Sequence, residues 1–138
     1  MVEFKQLALS ENEEKLIELL SENQLEEKQI PSEPNCDFSL ALYDDGHYLG
    51  GITANKWMNI THISLLALVK SARGKGYGTK LLKKAEAFAA EKGASVITIH
   101  TQDYQAKTFY EQFGYSVFGK LEDVPFEGTT KFYLMKKI

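Results

Sequence analysis

The chain is predicted to fold as an α/β (α+β) protein: a mixed, mostly antiparallel twisted sheet with a central parallel pair and helices on both faces. Three observations predict it. The first half holds short strand-like runs joined by tight turns, which make antiparallel neighbours. From Ile60 to His100 the order is strand, glycine-rich turn, amphipathic helix, strand, and such a unit forms a parallel pair through a right-handed crossover. Two more strand-like runs follow the next helix, so helices must cover the sheet they leave behind. At 138 residues the chain fits one domain over 1–138 and leaves no room for two.

The elements follow in order. Val2–Leu9 alternates loosely and reads as a first strand. Ser10 then opens a helix, because Ser10 and Glu13 have capping-box spacing and Leu16, Leu19 and Leu20 form an apolar stripe. Gln24–Ile30 extends it, and the run Pro31-Ser32-Glu33-Pro34-Asn35 breaks it. Phe38–Tyr43 and Tyr48–Trp57 are paired strands, since Asp44-Asp45-Gly46 between them tolerates the positive φ of a hairpin turn. Ile60–Val69 is a longer strand. Gly76–Lys92 is a helix with Leu81, Leu82, Ala85, Phe88 and Ala89 on one face and Gly93 as its stop. Ser95–His100 is a short buried strand. Asp103–Phe113 is a helix, with Ala106, Phe109, Tyr110 and Phe113 at helical spacing, and Gly114 closes it. Tyr115–Leu121 and Thr130–Met135 are the last strands.

Composition narrows the function. Apolar residues make up 43%, too many for a disordered chain. A formal net charge of −3 is not that of a protein whose main partner is nucleic acid. The single cysteine, Cys36, forms no internal disulfide, no apolar leader follows Met1, and no run approaches the ~18 apolar residues of a membrane span. The chain therefore reads as cytoplasmic, with no membrane or nucleic-acid partner. No His/Cys/Asp/Glu cluster has metal-ligand spacing, so no metal is expected.

The informative stretch is Leu66-Ala67-Leu68-Val69-Lys70-Ser71-Ala72-Arg73-Gly74-Lys75-Gly76-Tyr77-Gly78-Thr79. A buried strand ends here and a glycine-rich turn opens a helix. Glycines let the backbone approach a ligand, and the free N–H groups of the first helical turn point at it with the positive end of the helix dipole behind them. Between Lys70 and Lys84 there are six cations and no acid. Cations at a helix start oppose the dipole, and a bound polyanion reverses that. The loop is thus a phosphate site. It lacks the Gly-x-x-x-x-Gly-Lys-Ser/Thr of a Walker loop. It also fails the dinucleotide fingerprint, because the third glycine, Gly78, comes one residue early and no acid ends the next strand, where His100 stands.

Arg73-x-x-Gly76-x-Gly78 resembles the Gln/Arg-x-x-Gly-x-Gly/Ala signature of the GNAT superfamily of N-acetyltransferases. The run Asp103-Tyr104-Gln105-Ala106-Lys107-Thr108-Phe109-Tyr110-Glu111-Gln112-Phe113-Gly114-Tyr115 resembles that family's second motif, in the right order and at the right spacing. The resemblance covers roughly Tyr48 to Met135. It implies acetyl transfer from acetyl-CoA to the amine of a small molecule or peptide, by direct attack in a ternary complex. It implies that Arg73, Gly74, Lys75, Gly76, Tyr77, Gly78 and Thr79 hold the pyrophosphate of coenzyme A. Leu66, Ala67 and Leu68 would hold the pantetheine arm and acetyl carbonyl, with Asp103 beside them, and Tyr110 would protonate the departing thiolate. Three positions depart from the family pattern. Asp103 replaces an asparagine that can donate to the cofactor, Lys70-Ser71 replaces a proline, and Ser64 stands where many relatives carry an acid.

That last departure leaves the base to another group. His62 lies two residues before Ser64 on the same strand, and residues two apart share a face, so His62 is the expected proton acceptor. His100 ends a strand beside the cofactor region and is a lesser candidate. Glu122 and Asp123 lie in the connection that would shape the acceptor pocket. A chain that binds acyl-CoA on this fold without turning it over is the rival reading, a nucleotide-binding protein using the same loop the weaker one, and a homodimer stays open.

Overall fold

The computed structural model describes all residues, 1–138, and resolves them into two compact units, Met1–Pro34 and Asn35–Ile138. The first unit is one helix, α1 (Leu9–Lys28), with none of its residues buried. Glu11 in its first turn and Lys28 in its last suit the helix dipole. Gln29 ends it in the left-handed region at φ 57°, its N–H donating to the Leu25 carbonyl. Two expectations fail here. Residues 1–8 form no strand, because loose alternation yields ladder bonds only where a partner strand lies alongside. The helix starts one residue before Ser10, with Ala8 at the cap position and no side-chain cap.

The second unit carries the sheet. Its elements are β1 (Cys36–Asp44), β2 (His47–Trp57), β3 (Ile60–Leu68), α2 (Tyr77–Glu91), β4 (Val96–Gln102), α3 (Lys107–Gln112), β5 (Ser116–Glu122) and β6 (Thr130–Lys137), with a short 3₁₀ turn at Lys70–Ala72 before α2. The six strands lie in the order β1-β2-β3-β4-β6-β5. Every neighbouring pair is antiparallel except β3–β4, which is the parallel pair the strand–helix–strand unit predicts. Asp45 at φ 45° and Gly46 at φ 78° make the β1–β2 turn.

Alternation along the central strands aims one face at a single core. Ile52, Ile63, Ile97, Ile99 and Leu134 meet Leu81, Leu82, Ala85 and Ala89 of α2 and Tyr110 of α3. Fully burying each large apolar side chain contributes about 1.5–3 kcal/mol, so this cluster is what docks α2 and α3 on the sheet. A polar tie supplements it. Glu86 of α2 accepts from the buried Tyr115 hydroxyl at 2.9 Å and from Lys136 of β6 at 2.8 Å. Burial and, after it, the neighbouring Glu86 carboxylate push the Tyr115 phenol well up, so it stays a donor.

The feature that shapes the site is a bulge. Ala54 of β2 pairs with Ile63 and Thr53 with Leu65, which leaves Ser64 as an extra residue in β3. A bulge sharpens the local twist and bends the strand. On the other side β3 pairs with β4 only from Ile60↔Val96 to Ile63↔Ile99, so the parallel ladder ends where the bulge begins. Beyond it Ser64–Leu68 and His100–Gln102 belong to separate strands with no ladder between them. β4 meanwhile stays paired to β6 through Gln102↔Lys131. The two strands therefore part into a wedge in the middle of the sheet.

Candidate active site

The wedge opens into a cavity of about 1010 Å³. One wall is Ser64–Leu68 of β3. The opposite wall is Ile99–Gln102 of β4, continued by Asp103–Tyr110 into α3. The floor at one end is the glycine-rich turn: Arg73, Gly74, Gly76, Tyr77, Gly78 and Thr79. Both motifs read from the sequence, at Arg73–Thr79 and at Asp103–Tyr110, thus face one hollow.

The turn is built for close approach. Gly76 caps α2 in the left-handed region at φ 82°, with no side-chain cap on the helix start, and Gly74 stands at φ 75°. A Cβ at either position would meet nothing within 4 Å, so their free side is open space. The first ladder bond of α2 runs from the Lys80 N–H to the Gly76 carbonyl at 3.2 Å. The N–H groups of the turn before it point out of the helix, where an anion is favoured. Arg73 donates from Nε to the Leu68 carbonyl at 3.2 Å, which ties the turn to the end of β3. Lys75, expected to hold pyrophosphate, is exposed and does not line the cavity.

Tyr110 is 3% exposed, yet belongs to the cavity lining. Its ring meets Phe109 and Tyr115 edge-on, at 5.2 and 5.8 Å between centroids. Burial pushes its phenol up to about 12, so the hydroxyl is protonated at any physiological pH.

Asp103 lines the cavity but does not start a helix. Its carboxylate accepts from the Thr129 hydroxyl at 2.9 Å and from the Thr130 N–H at 3.1 Å, fastening the start of β6 to the end of β4. The expected helix Asp103–Phe113 begins only at Lys107, with Ala106 at its cap position and no side-chain cap. The four residues before it are held as a turn by Gln105, whose Oε1 accepts from the Gln102 N–H at 2.9 Å and the Thr101 hydroxyl at 3.3 Å. A side-chain amide that bonds the nearby backbone competes with the helix, and here the Gln105 bond to the Gln102 N–H wins.

The expectation that His62 shares a face with Leu66 is corrected by the bulge. Leu66 and Leu68 pack against the core, as Ile63 does. His62, paired across from Thr98, lies on the opposite face. It is half-buried and outside the cavity lining, with Nδ1 and the Thr98 hydroxyl oxygen 2.9 Å apart. Its ring lies 5.1 Å from that of His100, which is exposed and does line the cavity. Burial lowers both imidazoles, and the Lys131 cation lowers both further.

Sequence reasoning missed Gln102. It ends the strand at His100, whereas β4 runs two residues further and carries Gln102 into the cavity wall, with its Oε1 buried and unpaired. The signal was Thr101 and Gln102 continuing the alternation of β4 past the histidine.

Comparisons with known proteins agree with this geometry. The family model described as "Acetyltransferase (GNAT) family" matches residues 3–115. The chain is 34% identical over 99 residues to blasticidin-S acetyltransferase of Streptomyces morookaense, covering 71% of this chain and 72% of that one. It is 27% identical over 103 residues to N-alpha-acetyltransferase 30 of Schizosaccharomyces pombe, covering 70% and 69%. The crystal structure of an acetyltransferase from Bacillus cereus superposes on 100% of this chain and 99% of its own, with a TM-score of 0.84 and 28% identity. No helix is long and apolar enough to cross a membrane. By its sequence, its wedge-split sheet and these matches, the chain belongs to the GNAT acetyltransferase family and is an acetyl-CoA-dependent N-acetyltransferase.

Proposed function

We propose that the chain, acting over 1–138 as one acyltransferase domain, transfers the acetyl group of acetyl-CoA to a primary amine of a small molecule or peptide. The amine attacks the thioester directly while both substrates are bound. The observation that carries this reading is the wedge, whose two walls and glycine floor form one continuous cavity. The cavity suits an elongated ligand with an anionic end. The pyrophosphate would lie on the open side of Gly74 and Gly76, against the N–H groups of Tyr77, Gly78 and Thr79. The pantetheine arm would run between Leu66–Leu68 and β4, bonding strand backbone as an added strand would. The unpaired Gln102 Oε1 can take an amide N–H from that arm.

The chemistry then balances. The amine nitrogen bonds the carbonyl carbon, and the negative charge on the carbonyl oxygen falls on the Leu68 backbone N–H. The carbon–sulfur pair leaves with sulfur, and the Tyr110 phenol supplies its proton. A phenol near 12 is a weak acid toward a free thiol. The same desolvation would raise the thiol inside the wedge, which narrows that gap. The attacking nitrogen gives up its own proton, and His100 is a titratable group in the cavity wall, with the His62 ring 5.1 Å from its own. Two relatives are named blasticidin-S acetyltransferase and N-alpha-acetyltransferase 30, which supports a small-molecule or peptide acceptor here.

Thiol release from acetyl-CoA, followed against polyamines, amino acids, aminoglycosides and peptides, tests the proposal. Amine-dependent thiol release with an acetylated amine among the products is the expected result. Tight acetyl-CoA binding with no release above the rate in buffer, for any amine, would leave a binding module instead.

A further inference from the structure

We propose that His100 is the group that takes the proton from the attacking amine, and that His62 is its positioning neighbour. This deepens the acetyl-transfer reading and rests on it. The first support is place. The parallel ladder ends at Ile63↔Ile99, so His100 is the first residue of β4 beyond the point of the wedge. It lines the cavity and is open to solvent, whereas His62 lines no part of it. A base must lie within hydrogen-bond reach of the proton it takes, directly or through one water.

The second support is elimination. Among the cavity's titratable residues, Tyr110 is the proton donor, and the Asp103 carboxylate is held by Thr129 and Thr130. Lys107 is paired with Glu111 at 3.0 Å. The Arg73 guanidinium has no acceptor nitrogen, and Tyr77 and Tyr104 present hydroxyl donors rather than a basic nitrogen. Outside the lining, Asp123 accepts from the Gly128 N–H at 2.9 Å and Glu122 is paired with Lys120 at 3.7 Å. His100 is the one lining group that offers a neutral nitrogen at pH 7.

The third support is how the ring is held. His62 packs against it at 5.1 Å and Tyr133 at 5.7 Å, from the strands on either side. His62 is itself fixed through Thr98. The charged and titratable groups facing His100 are His62 on β3 and Lys131 and Tyr133 on β6, with Lys131 5.4 Å over the Tyr133 ring. Burial, Lys131 and His62 all hold the imidazole below its ordinary value, so it enters the reaction uncharged. A bound ammonium gives one proton to His100, which passes it to water at the open mouth. The second nitrogen proton, released as the amide forms, replaces the one Tyr110 gives to sulfur.

The test is the pH profile of kcat/KM, with acetyl-CoA and the fastest amine of the panel above. Wild-type enzyme should show an ascending limb below ~6.5. His100→Gln should remove that limb and lower kcat/KM at neutral pH by roughly 10²-fold, with less loss at high pH where the amine is already neutral. His62→Gln should keep the limb but move it to higher pH, because the neighbour that disfavours a charged His100 is gone. Lys131→Gln should move it the same way for the same reason. Calorimetry with acetyl-CoA alone shows that each variant is folded and still holds the cofactor. An unchanged profile in His100→Gln, or a limb lost in His62→Gln and kept in His100→Gln, overturns the assignment while the transferase reading stands. A wild-type enzyme that turns over no amine overturns the transferase reading itself, and the assignment with it.

Discussion

Tyr110→Phe is expected to lower kcat by about 10²-fold while the KM for acetyl-CoA barely moves. The change removes one oxygen from a ring that is 3% exposed and leaves the edge contacts with Phe109 and Tyr115 intact. Core packing is therefore preserved, and a stability loss cannot imitate the effect. In the proposed mechanism the hydroxyl acts only as sulfur takes up charge, so its loss falls on the transition state and spares the ground state. With the phenol pushed up to about 12, its ionisation should add no descending limb to the rate profile at pH values an assay can reach. Steady-state kinetics at saturating amine reads both constants. Wild-type turnover in the Phe variant would return Tyr110 to a purely structural place in the core.

Gly76→Val is expected to weaken acetyl-CoA binding at least tenfold, about 1.4 kcal/mol or more. Two effects add. Gly76 sits at φ 82°, where a β-branched residue is strained. Its Cβ would project into space the protein leaves empty, which is the space assigned to pyrophosphate. A control separates them. Gly93 stands at φ 84°, also with nothing within 4 Å of an added Cβ, but it ends α2 away from the cavity. Gly93→Val should carry similar strain and leave calorimetric affinity for acetyl-CoA unchanged. Equal affinity in Gly76→Val and wild type would remove the pyrophosphate from this turn. Gly78 differs from Gly76, since a Cβ there makes ordinary contact with Phe109 at 3.5 Å.

These two sites were legible in the sequence for different reasons. The turn at Arg73–Thr79 is marked by residues whose conformational needs are local: glycines between a strand and a helix announce themselves. Tyr110 was legible through helical spacing with Phe109 and Phe113 together with a family pattern. The bulge at Ser64 was not legible, because a bulge is a mismatch of two residues against one, and it exists only once β2 is laid beside β3. That single extra residue set the true facing of His62 and ended the parallel ladder, so the shared face expected from strand parity did not hold where the strand stopped being regular. Asp103 read as the first residue of a helix. Its carboxylate is instead taken by Thr129 and Thr130, partners twenty-six and twenty-seven residues later in the chain. Val2–Leu9 had the pattern of a strand and no partner to pair with, and pattern alone does not make a ladder.

In the proposed mechanism the β3–β4 wedge holds acetyl-CoA with its thioester against Tyr110. A crystal structure of the chain with acetyl-CoA would show whether it does. Pyrophosphate density is expected on the N–H groups of Tyr77–Thr79, with the pantetheine arm between Leu66–Leu68 and β4. The thioester sulfur should lie within hydrogen-bond reach of the Tyr110 hydroxyl. Cofactor bound outside the wedge, or a thioester lying out of reach of Tyr110 with the wedge empty, would contradict it.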